Sequence, residues 1–555
     1  MNRFIQFLKT WKNQKSYAIW LFRYSKSYMP KILFMMLCNL SVTVISIRMA
    51  VLSKNIIDRA TSGAGFVSVL VAYGIFVVAM LSLDAIKNLL AITLDERFSF
   101  GIRKQIYEKI IHSYYMDVKK YHTGDLMTRL TSDAGNVSNG IIYTIPSIIQ
   151  LVAELLIAFG TLFYYQPFLA LFALVIGPIC ALVSLLLGRK LSYLQKKVQE
   201  SEASYRSFLQ ESMANLLVVK SFANEDYMIE KLTDLRATRF KWVYKRGVLG
   251  IVSQALIGFS FNFAYIVAFS FGAVLISAGT ITYGTMSLFL TLVNRVQSPV
   301  LQLAQQIPKV VSIFASASRI IELEDLAEEK MENGAEKLVN QSSLGIRTTD
   351  LSFGYLPTEL VLENLSLEIE PGEFVAILGE SGIGKTTLVH LMMSFMGQYQ
   401  GGIGFYTQDG KTVKTDLSMR QFISYVPQGN TLFSGTIREN IRMGKIDATT
   451  EEMEEALKLA AAYDFVMNLP QGLDTRIGEQ GHGISQGQAQ RIAIARCLVR
   501  KAPFMILDEA TSSLDSDTEL TILASLRKLS PRPTCVIVTH RASVLEYCDR
   551  QIKLS

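Results

Sequence analysis

The chain has 555 residues, more than one hydrophobic core usually holds, so at least two domains are expected. Hydrophobic residues make up 50% of it and charged residues 19%, a mixture that argues against one uniform globule and for halves that live in different solvents. The net charge of +7 would suit a nucleic-acid binder, but its placement excludes that partner: Arg3, Lys9, Lys12, Lys15, Arg23, Lys26 and Lys31 stand together without an acid, immediately before an apolar span, as a cytoplasmic flank does.

From the amino terminus, a short helix around Tyr17–Tyr24, holding Trp20 and Arg23, is predicted to lie along the inner leaflet, with Pro30 favouring a break after it. No cleavable signal peptide is expected, because the apolar stretch begins late and no small-residue cleavage site precedes it. Crossing the hydrocarbon core takes roughly 20 mostly apolar residues. Six stretches qualify, at about 31–55, 66–92, 138–164, 168–188, 247–277 and 283–312. The connections "YYQPF" and "SAGTITYGT" hold no Lys or Arg, whereas 95–137 and 189–246 are long and rich in both, which puts the termini and the long connections in the cytoplasm. Polar residues lie inside the spans: Asp84 and Lys87 can neutralise each other three residues apart, while Arg48, Glu154, Asn262, Asn294 and Arg295 are candidates for a polar cavity lining. The five cysteines, Cys38, Cys180, Cys497, Cys535 and Cys548, lack CxxC spacing and read as reduced packing residues. The segment at about 316–345 starts helical and turns acidic and Gly-containing, as a linker does.

Beyond it, short β-branched runs alternate with Gly-rich turns and polar helices. "FVAILGESGIGKTTLVHLM" sets Gly379, Gly384, Lys385 and Thr386 between a buried-strand pattern and a helix, the full GxxxxGK[ST] phosphate loop in its required context. Backbone N–H groups there can turn onto a β-phosphate, Lys385 can reach the β/γ oxygens, and Thr386 can take Mg²⁺. "GISQGQAQRIAIAR", at 483–496, holds no acid, histidine or cysteine; it reads as a helix start capped by Ser485, an end that attracts anions. "FMILDEATSSLD" is a buried strand ending in Asp508, suited to holding Mg²⁺, followed by Glu509, suited to orienting and deprotonating water. "CVIVTH" ends a further strand in His540, along the ligand edge of a parallel sheet.

Together these residues resemble an ATP-binding cassette (ABC) exporter half-transporter of the type IV, or B-type, fold, over nearly the whole chain. The resemblance implies an α-helical membrane domain with six long transmembrane helices (1–315), a linker (316–345) and an α/β P-loop ATPase domain (346–555). It implies Tyr355 of "LSFGY" stacked on adenine; Gly379, Ser381, Gly382, Gly384, Lys385, Thr386 and Thr387 around the phosphates; and Gln428 of "YVPQGNTLFSGTIRENI" near Mg²⁺ and facing the membrane domain. "TRIGEQG" at 475–481 resembles the exporter loop before the signature, and Asp515 closes the D-loop. Glu509, His540, Gln428 and Lys385 become the catalytic set, and Thr386, Gln428 and Asp508 the metal set. The signature LSGGQ is written here Ile484-Ser485-Gln486-Gly487-Gln488, with Gln486 in place of the first glycine; in the family, Ser485, Gly487 and Gln488 would close over nucleotide held by a partner chain. Short coupling helices are expected near Asp117–Tyr121 and Asn224–Ile229.

The implied function is an ATP-driven exporter of a hydrophobic or amphipathic substrate, a peptide, drug-like molecule or lipid, working by alternating access as a dimer. A lipid or lipid-linked oligosaccharide flippase and an ATP-gated channel or regulator are the alternatives. ATP and Mg²⁺ are the implied cofactors; a second copy of the chain or a related half-transporter, membrane lipids and a small amphipathic or peptide cargo are the implied partners. The expected location is the inner (plasma) membrane, multi-pass, with both termini and the ATPase domain cytoplasmic.

Overall fold

The computed structural model describes residues 17 and 19–554 except 330, 332–334, 356–358, 381 and 479–482, and the side chains of these apart from 173–186, 189, 264, 335 and 337. The basic residues before Tyr17, Ser381, and Glu479–Gly481 of the loop before the signature therefore lie outside the described residues. The chain divides into two units, Met1–Tyr107 with Thr123–Glu324, and Glu108–His122 with Asp325–Ser555.

The first unit is helical. Helical residues from Ile19 lead through a 3₁₀ turn, Lys26–Tyr28, into α1 (Met29–Thr61), where Pro30 takes a first-turn position that needs no N–H donor. Then comes α2 (Val67–His112), whose end from Glu108 belongs with the short α3 (Tyr115–Lys119) to the second unit; the first unit resumes with α4 (Thr123–Tyr165), α5 (Pro167–Ala214), the short α6 (Leu216–Ser221), α7 (Glu225–Ser277) and α8 (Tyr283–Glu324). Of the six long helices, those containing α1, α2, α4 and α7 are long and apolar enough to cross a membrane, counted among the described residues. The expected fourth span falls mostly on 173–186 of α5, outside the described side chains. Helix α8 exists as expected but carries a polar series, described below.

Small and branched residues build the membrane-unit core: Ala158 and Leu162 of α4, Leu169 and Ala170 of α5 and Ala268 of α7 pack with Leu288, Phe289, Leu292, Val293 and Val296 of α8. Small side chains let helices approach closely where lipid offers no hydrophobic drive between them. Two π-type segments, Arg129–Asp133 and Gly140–Thr144, widen α4. At the first, buried Arg129 donates to Asp125 (3.0 Å), to Glu322 (3.0 Å) and to the Arg319 carbonyl (2.6 Å), and Asp133 receives Arg319 and the Ser316 hydroxyl. One acid and one base of the same segment thus face α8, as the extra residue of a π turn permits. Glu324, at the end of α8, accepts from Trp20 Nε1 (2.7 Å) and the Tyr24 hydroxyl (2.6 Å), which fixes the amino-terminal helical residues to it.

In the second unit, β1 (Gly345–Phe353), β2 (Leu362–Ile369), β4 (Gln400–Tyr406) and β5 (Thr412–Lys414) form an antiparallel sheet of order β2-β1-β4-β5. A parallel sheet has the order β11-β3-β10-β9-β6, from β3 (Phe374–Leu378), β6 (Ile423–Val426), β9 (Phe504–Asp508), β10 (Thr534–Val538) and β11 (Arg550–Lys553). Strands β9 and β10 are buried at every position, the continuous apolar pattern of a parallel sheet covered on both faces. A short ribbon joins β7 (Gly435–Thr436) to β8 (Arg476–Ile477). Helices α9 (Lys385–Met392), α10 (Ile437–Arg442), α11 (Thr450–Leu459), α12 (Tyr463–Met467), α13 (Gln486–Leu498), α14 (Ser516–Arg527) and α15 (Ala542–Leu545) complete the unit. Phe405 and Phe504 meet edge to face at 5.1 Å where the antiparallel sheet covers the parallel one.

Candidate functional site

The order β3-β10-β9-β6 sets four strand ends side by side, and each delivers one component. Beyond β3 runs the phosphate loop from Gly379; beyond β10 stands His540; β9 ends in Asp508 and Glu509; beyond β6 lies Gln428. In a parallel sheet this carboxyl edge is where ligands bind.

The phosphate loop closes tightly before α9. Gly384 has φ +105°, and a Cβ there would come within 2.9 Å of Leu362 and 3.0 Å of Val361, so this turn admits only glycine. Lys385 is buried, and its ammonium donates to the carbonyls of Gly379 (2.7 Å) and Glu380 (2.9 Å), which aims it back along the loop. Gly382 stands at the exposed turn of the loop, and Thr387 holds the Tyr355 hydroxyl at 3.1 Å. Tyr355 is 52% exposed, and its ring lies T-shaped to that of Phe353 with centroids 5.2 Å apart.

Asp508 is 1% exposed and receives hydroxyls from Thr386 and Tyr425. Burial first, and the neighbouring Glu509 charge second, push its carboxyl up to about 6. Its Oδ1 has no hydrogen-bond partner although buried. A desolvated carboxylate oxygen without a donor is costly on its own, and beside the Thr386 hydroxyl it makes an oxygen donor set that fits Mg²⁺. Glu509 sits at φ +49°, the left-handed region, with its N–H on the Val538 carbonyl at 3.0 Å. Its carboxylate is bracketed: Gln428 Nε2 donates to Oε2 at 2.6 Å, and His540 Nε2 lies 3.1 Å from Oε1. A strained backbone held by the sheet, with a carboxylate aimed by two polar side chains, is the geometry that a general base requires.

The signature residues form a second cluster on α13. Ser485 accepts from the Gln488 N–H (3.2 Å) and the Gln488 side chain accepts from the Ser485 N–H (2.9 Å), a complete capping box. This leaves the N–H groups of Gln486 and Gly487 without intrahelical partners, at the positive end of the helix. The Gln486 side chain is exposed. A Cβ on Gly487 would come within 3.0 Å of the Ser513 carbonyl, so this glycine serves the close approach of the following loop. Asp515 caps α14, accepting from the N–H (3.0 Å) and hydroxyl (2.9 Å) of Thr518. Among the described residues, no hydrogen bond or ion pair joins Ser485, Gly487, Gln488 or Asp515 to Lys385, Asp508 or Glu509. Sequence reasoning missed Tyr425, which reaches Asp508 from a strand 83 residues away in sequence. No local pattern marks it.

Helix α9, which starts at Lys385, ends against α3: His390 lies 6.0 Å from the Tyr115 ring, Phe395 lies 5.4 Å from it, and the Met116 N–H reaches the Phe395 carbonyl. The short helix therefore starts two residues before the expected Asp117. The second one, Leu216–Ser221, lies before Asn224–Ile229; Asn224 takes the cap position of α7, with Glu225 and Asp226 in its first turn.

Within the membrane unit, Lys87 pairs with Asp84 (2.6 Å), and Arg295 donates to Ser46 (2.9 Å) and Glu154 (3.2 Å). Arg48, Asn262 and Asn294 are exposed on the chain. On α8 the exposed residues Asn294, Ser298, Gln302, Gln305 and Lys309 recur every three to four positions, one polar stripe along the helix.

The family profile described as ABC transporter transmembrane region matches residues 32–300, and that described as ABC transporter matches residues 362–512. An ATP-dependent lipid A-core flippase of Desulfotalea psychrophila (strain LSv54 / DSM 12343) is 32% identical over 459 residues, 82% of this chain and 80% of that protein. An ATP-binding/permease protein of Staphylococcus aureus (strain NCTC 8325 / PS 47), named for multidrug export, is 32% identical over 487 residues, 86% of this chain and 83% of that protein. The solved structure of a bacterial Atm1-family ABC exporter with ATP bound has the same fold, with a TM-score of 0.77 at 22% identity over 96% of this chain and 94% of the other. The chain belongs to the ABC transporter family, as an exporter half-transporter whose ATPase is coupled to transport across the membrane.

Proposed function

We propose that two copies of this chain form a homodimer in the inner (plasma) membrane, with the termini and residues 346–555 in the cytoplasm, and export a hydrophobic or amphipathic molecule through helices contributed by residues 1–315. The observation that carries the reading is the bracketed Glu509 beside Lys385 and Asp508, complete in one chain. The signature cluster, which among the described residues has no hydrogen bond or ion pair to that edge, supports a composite site shared by two chains.

In this reading Tyr355 stacks on adenine, a contact worth roughly 1–3 kcal/mol. The phosphate-loop N–H groups and Lys385 hold the β- and γ-phosphates, and the partner's Ser485 helix end closes over the γ-phosphate. Thr386 and Asp508, with Gln428 nearby, would hold Mg²⁺, which would supply positive charge to the phosphates. Glu509 orients water and accepts its proton, while His540 keeps the carboxylate in place and donates toward the γ-phosphate. Nucleotide shifts the conformational balance only so far as it binds the closed dimer better than the open one. The α9–α3 contact, within the second unit, ties the phosphate-loop helix to the segment that follows α2 in the chain, and this supports a coupling role for α3. The polar stripe of α8 supports a wet cavity, since such a face is costly against lipid.

Reconstituted in vesicles and offered peptides, drugs and lipids, the protein is expected to raise its ATPase rate with amphipathic compounds and to move a labelled one across the bilayer. Ion conductance without stimulated turnover would instead identify a channel, and full-speed hydrolysis by isolated single copies would rule out the shared site. Lys385→Ala is expected to weaken nucleotide binding about 10- to 100-fold, the loss of charge-assisted bonds to phosphate, measured by titration with a fluorescent ATP analogue.

A further inference from the structure

Side chains from elsewhere hold three backbone groups of the loop from Thr511 to Asp515, the carbonyls of Ser512 and Leu514 and the N–H of Ser513. Its turn begins on Glu509 itself, whose carbonyl accepts from the Ser512 N–H at 3.2 Å. Arg541, the neighbour of His540, spreads its guanidinium over the loop, donating from one nitrogen to the Ser512 carbonyl (2.8 Å) and from another to the Leu514 carbonyl (3.0 Å). The second nitrogen also meets Glu519 Oε2 at 3.2 Å, which receives the Ser543 hydroxyl at 3.0 Å. From α13, Gln490, 3% exposed among apolar residues, donates to the Ser512 hydroxyl (3.1 Å) and accepts from the Ser513 N–H (3.0 Å).

Two features separate this from ordinary loop packing. Ser512 is exposed, so water could satisfy its carbonyl without a protein donor. Glu519, in contrast, is fully buried with one carboxylate oxygen unpartnered, an arrangement whose desolvation cost outweighs what a surface pair returns. A costly buried acid that orients one guanidinium toward two carbonyls fixes geometry. The planar fork of arginine can serve three acceptors in fixed directions, which a single ammonium cannot.

We propose that Arg541 and Gln490 are positioning residues that lock the Thr511–Asp515 loop to His540 on one side and to the signature helix on the other, so that the hydrolytic edge, the loop and the Ser485 helix start move as one body. The proposal rests on the hydrolytic site described above. The two can fail separately, because Glu509→Gln tests that site without touching Arg541.

The test is Arg541→Lys in the full-length protein in lipid nanodiscs. Lysine keeps the charge opposite Glu519 but loses the fork. The expected result is a fall in kcat of roughly tenfold with KM for ATP nearly unchanged, as for misplacement of a group acting after binding. Amide exchange in the peptide spanning 510–516 should accelerate, and the unfolding temperature should stay close to that of the parent. Should Arg541→Lys fold poorly, the double variant Arg541→Met with Glu519→Gln removes both charges and carries the same readouts. A parental kcat with a loosened loop overturns the proposal, and so does a lowered kcat with exchange in 510–516 unchanged.

Discussion

Glu509→Gln is expected to lower ATP turnover by about 10²- to 10⁴-fold, the range contributed by a positioned general base, while nucleotide affinity stays near that of the parent. The amide has nearly the same shape as the carboxylate and can still accept from Gln428, whose nitrogen stands 2.6 Å from Oε2. It cannot take a proton from water. Lys385, Thr386 and Tyr355, which would bind nucleotide, are untouched, and the strained backbone at φ +49° suits glutamine no worse than glutamate. Binding without hydrolysis then holds the cassettes closed. The checks are phosphate release, the amount of uncleaved ATP retained per dimer, and crosslinking between copies through cysteines placed near Ser485 and Gly382. Near-parental phosphate release would remove Glu509 from the base role.

What the sequence could convey follows from how local each feature is. The phosphate loop, the acid pair after β9 and the Ser485 cap are written within a few residues, because each is a strand end or helix start with its own chemistry. Their meeting at one edge is a consequence of the order β3-β10-β9-β6, which the amino-acid text does not spell out. The long helices were legible from apolar length, yet the π segments of α4 were not, since Arg129 and Asp133 become partners of α8 only through contacts some 190 residues apart. The second short helix was displaced for a local reason. Glu225 and Asp226 stabilise a helix amino terminus, so Asn224 opens the long α7 and leaves Leu216–Ser221 as the separate turn of helix. Arg541 stood next to a residue already singled out, but its partners Ser512, Leu514 and Glu519 come from another segment, and nothing in "VTHRAS" announces them.

Asp508→Asn is expected to abolish hydrolysis and at the same time to stabilise the nucleotide-free, metal-free protein. In the folded chain the carboxyl holds its proton up to about pH 6, because burial and the Glu509 charge disfavour ionisation; an unfolded chain releases it near 3.8. The folded state therefore binds more protons than the unfolded one between those values, so stability falls as pH rises through that window and the loss is complete above pH 6. A displacement of that size corresponds to roughly 2–3 kcal/mol, a cost that asparagine, never ionised, does not carry. Calorimetry of the full-length protein without Mg²⁺ or nucleotide should show the second unit of Asp508→Asn unfolding at higher temperature than the parent at pH 8, with the gap closing toward pH 4. Cation binding demands the ionised carboxylate, so in the parent Mg²⁺ with nucleotide should reverse the ranking at pH 8 and do so progressively less below pH 6. An Asp508→Asn protein no more stable than the parent at pH 8 would mean that the buried carboxylate is already compensated within the chain, and the unpartnered Oδ1 would lose its meaning as the place prepared for a cation.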